Sequence, residues 1–367
     1  MKISKSGAQF SAIVKIGEDL REESRKTGKD FLYLNRGINQ VVNINLLEII
    51  PMIDFNSAAL QYYPHSKGMP GLRKAINDAF FDGKTSEDNI FITAGGMNGL
   101  SLVFQTLDIE RVYTHSLYWG AYTNALKIAG KQHLFYENFE YLKSNYKKYN
   151  NAAVIICDPS NPTGSKAKDD DLFEIIDLFA KQNTIVIWDS PYRRLFFDHT
   201  DTLYQKLLAY DNLIITESFS KSIGLSGQRI GFMHCKSPEF NSEFAVRLLY
   251  SGNGINAFAQ ILVEKILTTP EGKKAAKNFK EKTVADITEN IQLLRGKKIL
   301  AEAFYNNEMP VGIFVIVNKS FNELKEKNIG SVPLNYFTKR KDINVENYSR
   351  ICVSVPKENF MRFFEKF

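Results

Sequence analysis

Six short apolar runs, each closed by turn-forming residues and several of them separated by amphipathic stretches, constrain the fold of this chain more than any other feature. They are "NIFIT" (89–93), "RVYTH" (111–115), "AAVIICD" (152–158), "TIVIWD" (184–189), "NLIITES" (212–218) and "RIGFMHC" (229–235). Near-continuous β-branched runs of this length mark strands covered on both faces. Helical patterns such as "MNGLSLVFQTL" and "DDLFEIIDLFAKQ" lie between them, and that alternation predicts a largely parallel α/β sheet covered by helices. After about residue 236 the texture changes. Helices follow, and "PEGKKAAKNFKEKTVADITENIQLLRGKK" (270–298) reads as one long, mostly exposed helix. Strand-like "GIFVIV" (312–317) and "RICVSV" (350–355), with a helix between them and another at the end, form a small α+β unit. The helical pattern at 8–27 has no sheet of its own and is expected to pack with that unit. The expected division is a large α/β domain over 31–260 and a discontinuous small domain made of 1–30 and 261–367.

A length of 367 residues suits such a division. The net charge of +6 is spread along the chain without a basic block, so nucleic acid is not an expected partner. Cys157, Cys235 and Cys352 each fall in an apolar run without metal-ligand spacing; no disulfide framework, no metal site and a reducing, cytoplasmic setting are expected. The start, "MKISKSGAQFSAIVKIGEDL", lacks the apolar core of a secretory signal. The longest uncharged run, ending at Leu107, is broken by Gly, Asn, Ser and Thr, so no membrane partner is expected either.

In sheets of this kind ligands gather beyond the carboxyl ends of the strands, which makes the residues there the ones to examine. "FIT" is followed by "AGGMNGL", where Gly95, Gly96 and Met97 open a helix and offer free amides to an anion. "AVIICD" is followed by "PSNPTG" with Asn161, and "IVIW" by "DSPY" with Asp189 and Tyr192. "LIITE" is followed by "SFSKSIGLSGQRIGF", which sets Lys221 among Ser218, Ser220, Gly224 and Gly227, with Arg229 eight positions on. Hydroxyls and a guanidinium fork are what a phosphate dianion requires. A lysine beside them is either a point-charge clamp or an amine used covalently. Singly, each has a plainer explanation: a conformational glycine, a proline turn, a carboxylate helix cap, or two loop charges.

Together they stand in a telling order: Tyr63…Gly68, "AGGMN", an aromatic after the next strand, "NPTG", D-x-x-Y, "SxSK…GxRxG" and a late arginine. This order resembles the pyridoxal phosphate enzymes of fold type I and, more narrowly, the class I/II aminotransferase family. The resemblance runs from "LNRGIN" at 34–39 to "SRICVSV" at 349–355. It implies a large domain with a mostly parallel seven-stranded sheet and a small α+β domain. It also implies that Lys221 binds the cofactor aldehyde as a Schiff base and moves the proton. Gly95, Gly96, Met97, Ser218, Ser220 and Arg229 would hold the phosphate, with Asp189 at the pyridine nitrogen and Asn161 and Tyr192 at the phenolic oxygen. Tyr118 would stack on the ring, its spacing to Tyr122 favouring it over Trp119. Arg350, with Asn161 and Gly37, would take the substrate α-carboxylate, and Tyr63 would reach the phosphate of a partner subunit in a homodimer. The implied partners are an L-amino acid and a 2-oxo acid. A carbon–sulfur lyase or an amino-acid decarboxylase would use the same cofactor residues, and a silent ligand-sensing fold is the reading from another class. Leu117, Ser190, Gln228 and Asn98 depart from the family pattern and leave the side-chain specificity open.

Overall fold

A computed structural model describes residues 1–197, 201–306, 308–342, 344–365 and 367. Its strands, in chain order, are β1 (Leu32–Tyr33), β2 (Ile90–Thr93), β3 (Arg111–His115), β4 (Gln132–Tyr136), β5 (Ala152–Cys157), β6 (Thr184–Asp189), β7 (Leu213–Ser218), β8 (Gly231–Cys235), β9 (Phe314–Val317), β10 (Ile329–Gly330), β11 (Val332–Pro333) and β12 (Ser349–Cys352). Seven of them form one sheet in the order β2-β8-β7-β6-β5-β3-β4. All pair in parallel except β8, which runs antiparallel to both β2 and β7. Every residue of β2, β7 and β8 is buried, as continuous apolar runs require of strands with helices on both faces.

The six strands expected from the sequence are all in this sheet. The seventh, β4, is an edge strand whose outer residues are half-exposed, so its "QHLFY" mixes polar and apolar positions. Leu32 and Tyr33 pair in parallel with Ile329 and Gly330. The chain at 32–33 therefore sits with its C-terminal part, and a boundary at residue 31 is too early. A further three-stranded antiparallel sheet runs β11-β12-β9.

The helix Ala12–Thr27 ends at Gly28, whose positive φ closes it in the left-handed conformation. Ile13 and Ile16 pack against a cluster that includes Ile316, Val332 and Leu334, and Glu23 pairs with Lys325 at 2.7 Å. The long helix Pro270–Gly296 is less exposed than its lysines suggest. Phe279, Thr283, Ile287, Asn290, Ile291 and Leu294 are buried at helical spacing, and the Asn290 amide donates to the carbonyl oxygens of Val353 and Val355 at 3.0 and 2.9 Å.

The loop after β5 crosses the start of β9 at Gly164. This residue has φ +72°, and a Cβ there would stand 2.1 Å from the Phe314 carbonyl oxygen. Gly164→Ala is expected to cost about 2 kcal/mol or more through strain and overlap. Urea unfolding checks this: the midpoint should fall with the slope unchanged, and a wild-type midpoint would contradict the packing.

Candidate active site

Strand β2 stops at Thr93, and Gly95 turns the chain with φ +81° into the helix Gly96–Thr106, whose start no side chain caps. Its first amides and the positive end of its dipole are left facing outward. Beside it β7 ends at Ser218, whose hydroxyl oxygen accepts from the Ser220 amide at 3.3 Å and opens the short helix carrying Lys221. The chain then turns back into β8 through Arg229, which has φ +51°. Arg229 Nη1 donates to Ser226 O at 2.9 Å and Ser220 Oγ at 3.4 Å. A Cβ on Gly95 would lie 2.8 Å from Arg229 Nη2. Glycine is therefore what lets the helix start, the two serines and the guanidinium close into one cup. The donor set suits a phosphate dianion, so the residues present fit the phosphate end of pyridoxal phosphate.

Behind the cup, the Lys221 amine donates to the carbonyl oxygen of Gly37. Burial, with smaller contributions from the charges of Arg229, Arg36 and Arg350, brings its pKa down to about 8. Asp189, the last residue of β6, accepts from the Tyr122 hydroxyl and, at 3.4 Å, from Thr216 Oγ1. Burial raises it to about 6 against those hydrogen bonds. Asn161 Nδ2 donates to the Tyr192 hydroxyl oxygen at 3.3 Å.

Arg350 comes from β12, far along the chain, yet it is 2% exposed and adjoins the same loop. It donates to Asn35 O and, at 3.5 Å, to Asn161 Oδ1. Its guanidinium lies 4.1 Å from the ring centre of Phe314 and 4.7 Å from that of Phe337. Its Nε has no partner among the described residues, and burial brings its pKa down to about 10. A fork with an unsatisfied N–H and no paired carboxylate among the described residues is a ready carboxylate receptor. A Cβ on Gly37 would overlap Phe314 at 2.2 Å.

Lys221, Asp189, Tyr192, Asn161, Arg350 and Gly37 are thus drawn together beyond the carboxyl ends of β5, β6 and β7, with Gly95, Gly96, Met97, Ser218, Ser220 and Arg229 around the cup. Tyr118 is placed differently from the expectation. Its ring is buried, stacked on Phe135 at 5.2 Å and edge-on to His133. It lines a cavity of about 630 Å³ that includes Thr114, Tyr136 and Tyr305 but none of Lys221, Ser218 and Arg229. Trp119 is the more open of the pair and meets the ring of Tyr122, the residue bonded to Asp189. Tyr118 shares its cavity with Tyr122 and Asn161, while Trp119 meets the face of the site through the Tyr122 ring. Tyr63 is 84% exposed and touches none of these groups. Tyr122, Thr216 and Asn35 were not singled out from the sequence. Only the Trp-x-x-Tyr spacing, which puts Tyr122 one helical turn beyond Trp119, carried any signal for them.

Among families, the one described as "Aminotransferase class I and II" matches residues 52–367. An aspartate aminotransferase of Pyrococcus horikoshii is 26% identical over 60% of this chain and 59% of its own length. A histidinol-phosphate aminotransferase of a Thermoanaerobacter species is 29% identical over 49% of this chain and 52% of its own. The match thus spans between half and three fifths of these relatives. In three dimensions the chain is similar to the Thermus thermophilus aspartate aminotransferase solved with maleate. The TM-score is 0.82 at 20% identity, covering 100% of this chain and 99% of that one. The fold is that of the fold type I enzymes.

The lowered pKa of Lys221 has a direct readout in the protein free of cofactor. Acetylation by trace acetic anhydride requires the neutral amine, so labelling of Lys221 is expected to rise with pH through about 8. Exposed lysines should rise only near the ordinary value of about 10.4. Peptide mapping that gave Lys221 the ordinary midpoint would refute the desolvated setting.

Proposed function

Because the chain belongs to the class I and II aminotransferases, we propose that it uses pyridoxal phosphate to move the amino group of an L-amino acid to a 2-oxo acid. The observation that carries this reading is the Lys221 amine, brought down to about 8, standing between an uncapped helix start with Arg229 and the buried fork of Arg350. When bound, pyridoxal phosphate supplies an aldehyde that captures amines and a ring that takes up electrons. The Gly96 and Met97 amides, Ser218, Ser220 and Arg229 would hold its phosphate, Asp189 its ring nitrogen, and Asn161 and Tyr192 its phenolic oxygen. Trp119 takes the ring face first expected of Tyr118. Asp189 keeps its charge and its direction through Tyr122 and Thr216. Arg350, beside Asn161 and Gly37, would fix the donor's carboxylate and so orient the donor toward Lys221. Lys221 Nζ would take the Cα proton of the donor as a base and, once protonated, act as the acid for the second proton transfer. A base with a pKa near the working pH serves both steps.

Sharing of the site between two subunits belongs to the same proposal. Tyr62, Tyr63, Leu47, Phe55 and Tyr250 are large and exposed, and Phe55 meets Phe258 at 5.6 Å, so the exposed apolar groups near 55–63 adjoin the segment after Tyr250. A surface of this kind is usually covered by a partner, and Tyr63 in its midst would serve the partner's phosphate. No helix among the described residues is long and apolar enough to cross a membrane. The three cysteines are unpaired, which supports placing the protein in the reducing cytoplasm.

Two measurements test the reading. A cognate L-amino acid added without oxo acid should bleach the yellow holoenzyme once per site, and a 2-oxo acid should restore the colour. Arg350→Ala should slow both halves by about a hundredfold, the scale of a charge-assisted bidentate contact. Carbon dioxide or sulfide released over many turnovers, with the colour persisting, would favour the decarboxylase or the lyase instead. For the dimer, mixing Lys221→Ala with Tyr63→Phe chains should restore activity, because each mixed dimer carries one site free of both changes. Unaltered activity after proven subunit exchange would refute sharing.

A further inference from the structure

Arg350 Nη1 and Asn161 Oδ1 meet at 3.5 Å, although one residue stands on β12 and the other in the loop after β5. A fork receives a carboxylate well only while its neighbours stay at the right spacing, so what holds these two elements together matters to the site. The loop is closed on itself. Ser160 N–H donates to Ser165 O at 2.9 Å, Gly164 N–H to Ser160 O at 2.8 Å, and the Thr163 and Ser165 hydroxyls meet at 2.6 Å. Such a turn moves as a unit, and its place is set by its ties to the C-terminal part of the chain. Val311 N–H donates to Gly164 O at 2.7 Å. The Tyr305 phenol forms a second tie: it donates to Thr163 O at 2.8 Å and accepts from Ile316 N–H at 2.8 Å. Ile316 lies on β9, an edge strand, directly opposite Arg350 in the ladder with β12. Thr163 is two positions beyond Asn161. One hydroxyl, on a residue 4% exposed, thus joins the backbone beside each member of the Asn161–Arg350 pair.

Resting on the aminotransfer reading above, we infer that Tyr305 is a positioning residue for the carboxylate receptor: its hydroxyl holds the Asn161 loop against β9 and so fixes Asn161 at the Arg350 fork. A buried tyrosine commonly does no more than fill space and satisfy its hydroxyl. This one differs in where its two bonds end, on the loop that carries Asn161 and on the strand that flanks Arg350. Phenylalanine would keep the ring and its packing. It would leave Thr163 O and Ile316 N–H without the phenol between them, and the closed turn could then settle away from the fork.

The test is a double-mutant cycle on the holoenzyme. Tyr305→Phe alone should raise KM for both the amino acid and the 2-oxo acid by about tenfold, the scale of a lost buried hydrogen bond. In an Asn161→Ala background the same change should raise KM by less than about twofold, because the residue through which it acts is already gone. Stability behaves otherwise: Tyr305→Phe should lower the urea midpoint by the same amount in both backgrounds. Effects on KM that simply add, or a KM unmoved by Tyr305→Phe, would overturn the inference. A ligand-observed NMR titration with propionate and propionamide reads the receptor without turnover. The wild-type holoenzyme should prefer the carboxylate by about tenfold, and Tyr305→Phe should lose most of that preference. If no amino acid bleaches the cofactor, the aminotransfer reading fails by itself, and this titration then decides the role of Tyr305. Absence of the preference in the wild type, or its full survival in Tyr305→Phe, would overturn the inference. So would a greater loss of affinity for pyridoxal phosphate than for propionate, which would mark a general loosening of the site.

Discussion

The guanidinium of Arg350 is the contact on which the arrangement of this molecule turns. A buried cation is costly unless polar groups and aromatic faces replace its water. Here the replacements come from four distant places: the Asn35 carbonyl, the Asn161 amide, and the rings of Phe314 and Phe337. Each is fixed in turn by its own element. Asn161 lies in the loop that passes Gly164, Phe314 starts β9, and β12 places Arg350 opposite Val332 and Ile316. What the fold does not supply is a negative partner, for among the described residues no carboxylate pairs with it. The protein thus holds a charge whose balancing anion must arrive from outside, and this makes the site a receptor as well as a clamp.

The other charges follow a similar logic of depth. Several carboxyl groups near the site are buried, each with partners of its own. Asp189 is held by a tyrosine and a threonine. Glu217, one residue before Ser218, is buried, accepts from Tyr204 and from the Ser218 amide, and is pushed up to about 8 by its burial. A third group, Arg193, is closed off by Asp158, Asp169 and Asp201 at 2.6–3.2 Å, which pins the segments on either side of the loop after β5. Networks that are satisfied internally give rigidity, while those left short of a partner are where binding happens.

The sheet was legible because burial on both faces forces β-branched runs such as Ile214–Ile215 or Val186–Ile187, and because turn residues close them. Strand β4 was hidden because an edge strand may carry Gln132 and His133 without penalty, and the two-residue ladders at 32–33 and 329–330 are too short to leave a pattern. The cup was legible for another reason: glycine, serine and arginine are demanded there by geometry at known spacing. Tyr122 and Asn35 were not, since a hydroxyl meeting Asp189 from another element, or a carbonyl meeting Arg350 across 315 positions, depends on how elements pack and leaves no local mark. Two adjacent aromatics such as Tyr118 and Trp119 differ in sequence only by position, and their surroundings depend on which way the chain turns after β3, which sets Tyr118 against Phe135 and Trp119 against Tyr122.

The single antiparallel strand has a consequence for how the protein is made. Because β8 runs back along β7 and pairs at its far side with β2, the pieces of the cup at 95, 218 and 229 all belong to the first two thirds of the chain, although the helix Pro238–Gly252 and Phe279 later pack against them. The strands that frame the anion cup are therefore all made once about two thirds of the chain has left the ribosome. The guanidinium fork comes last, since Asn35 must wait for Arg350. The order of synthesis thus places the residues around the cup ahead of the one that completes the fork, and the fork cannot form until β12 has been made.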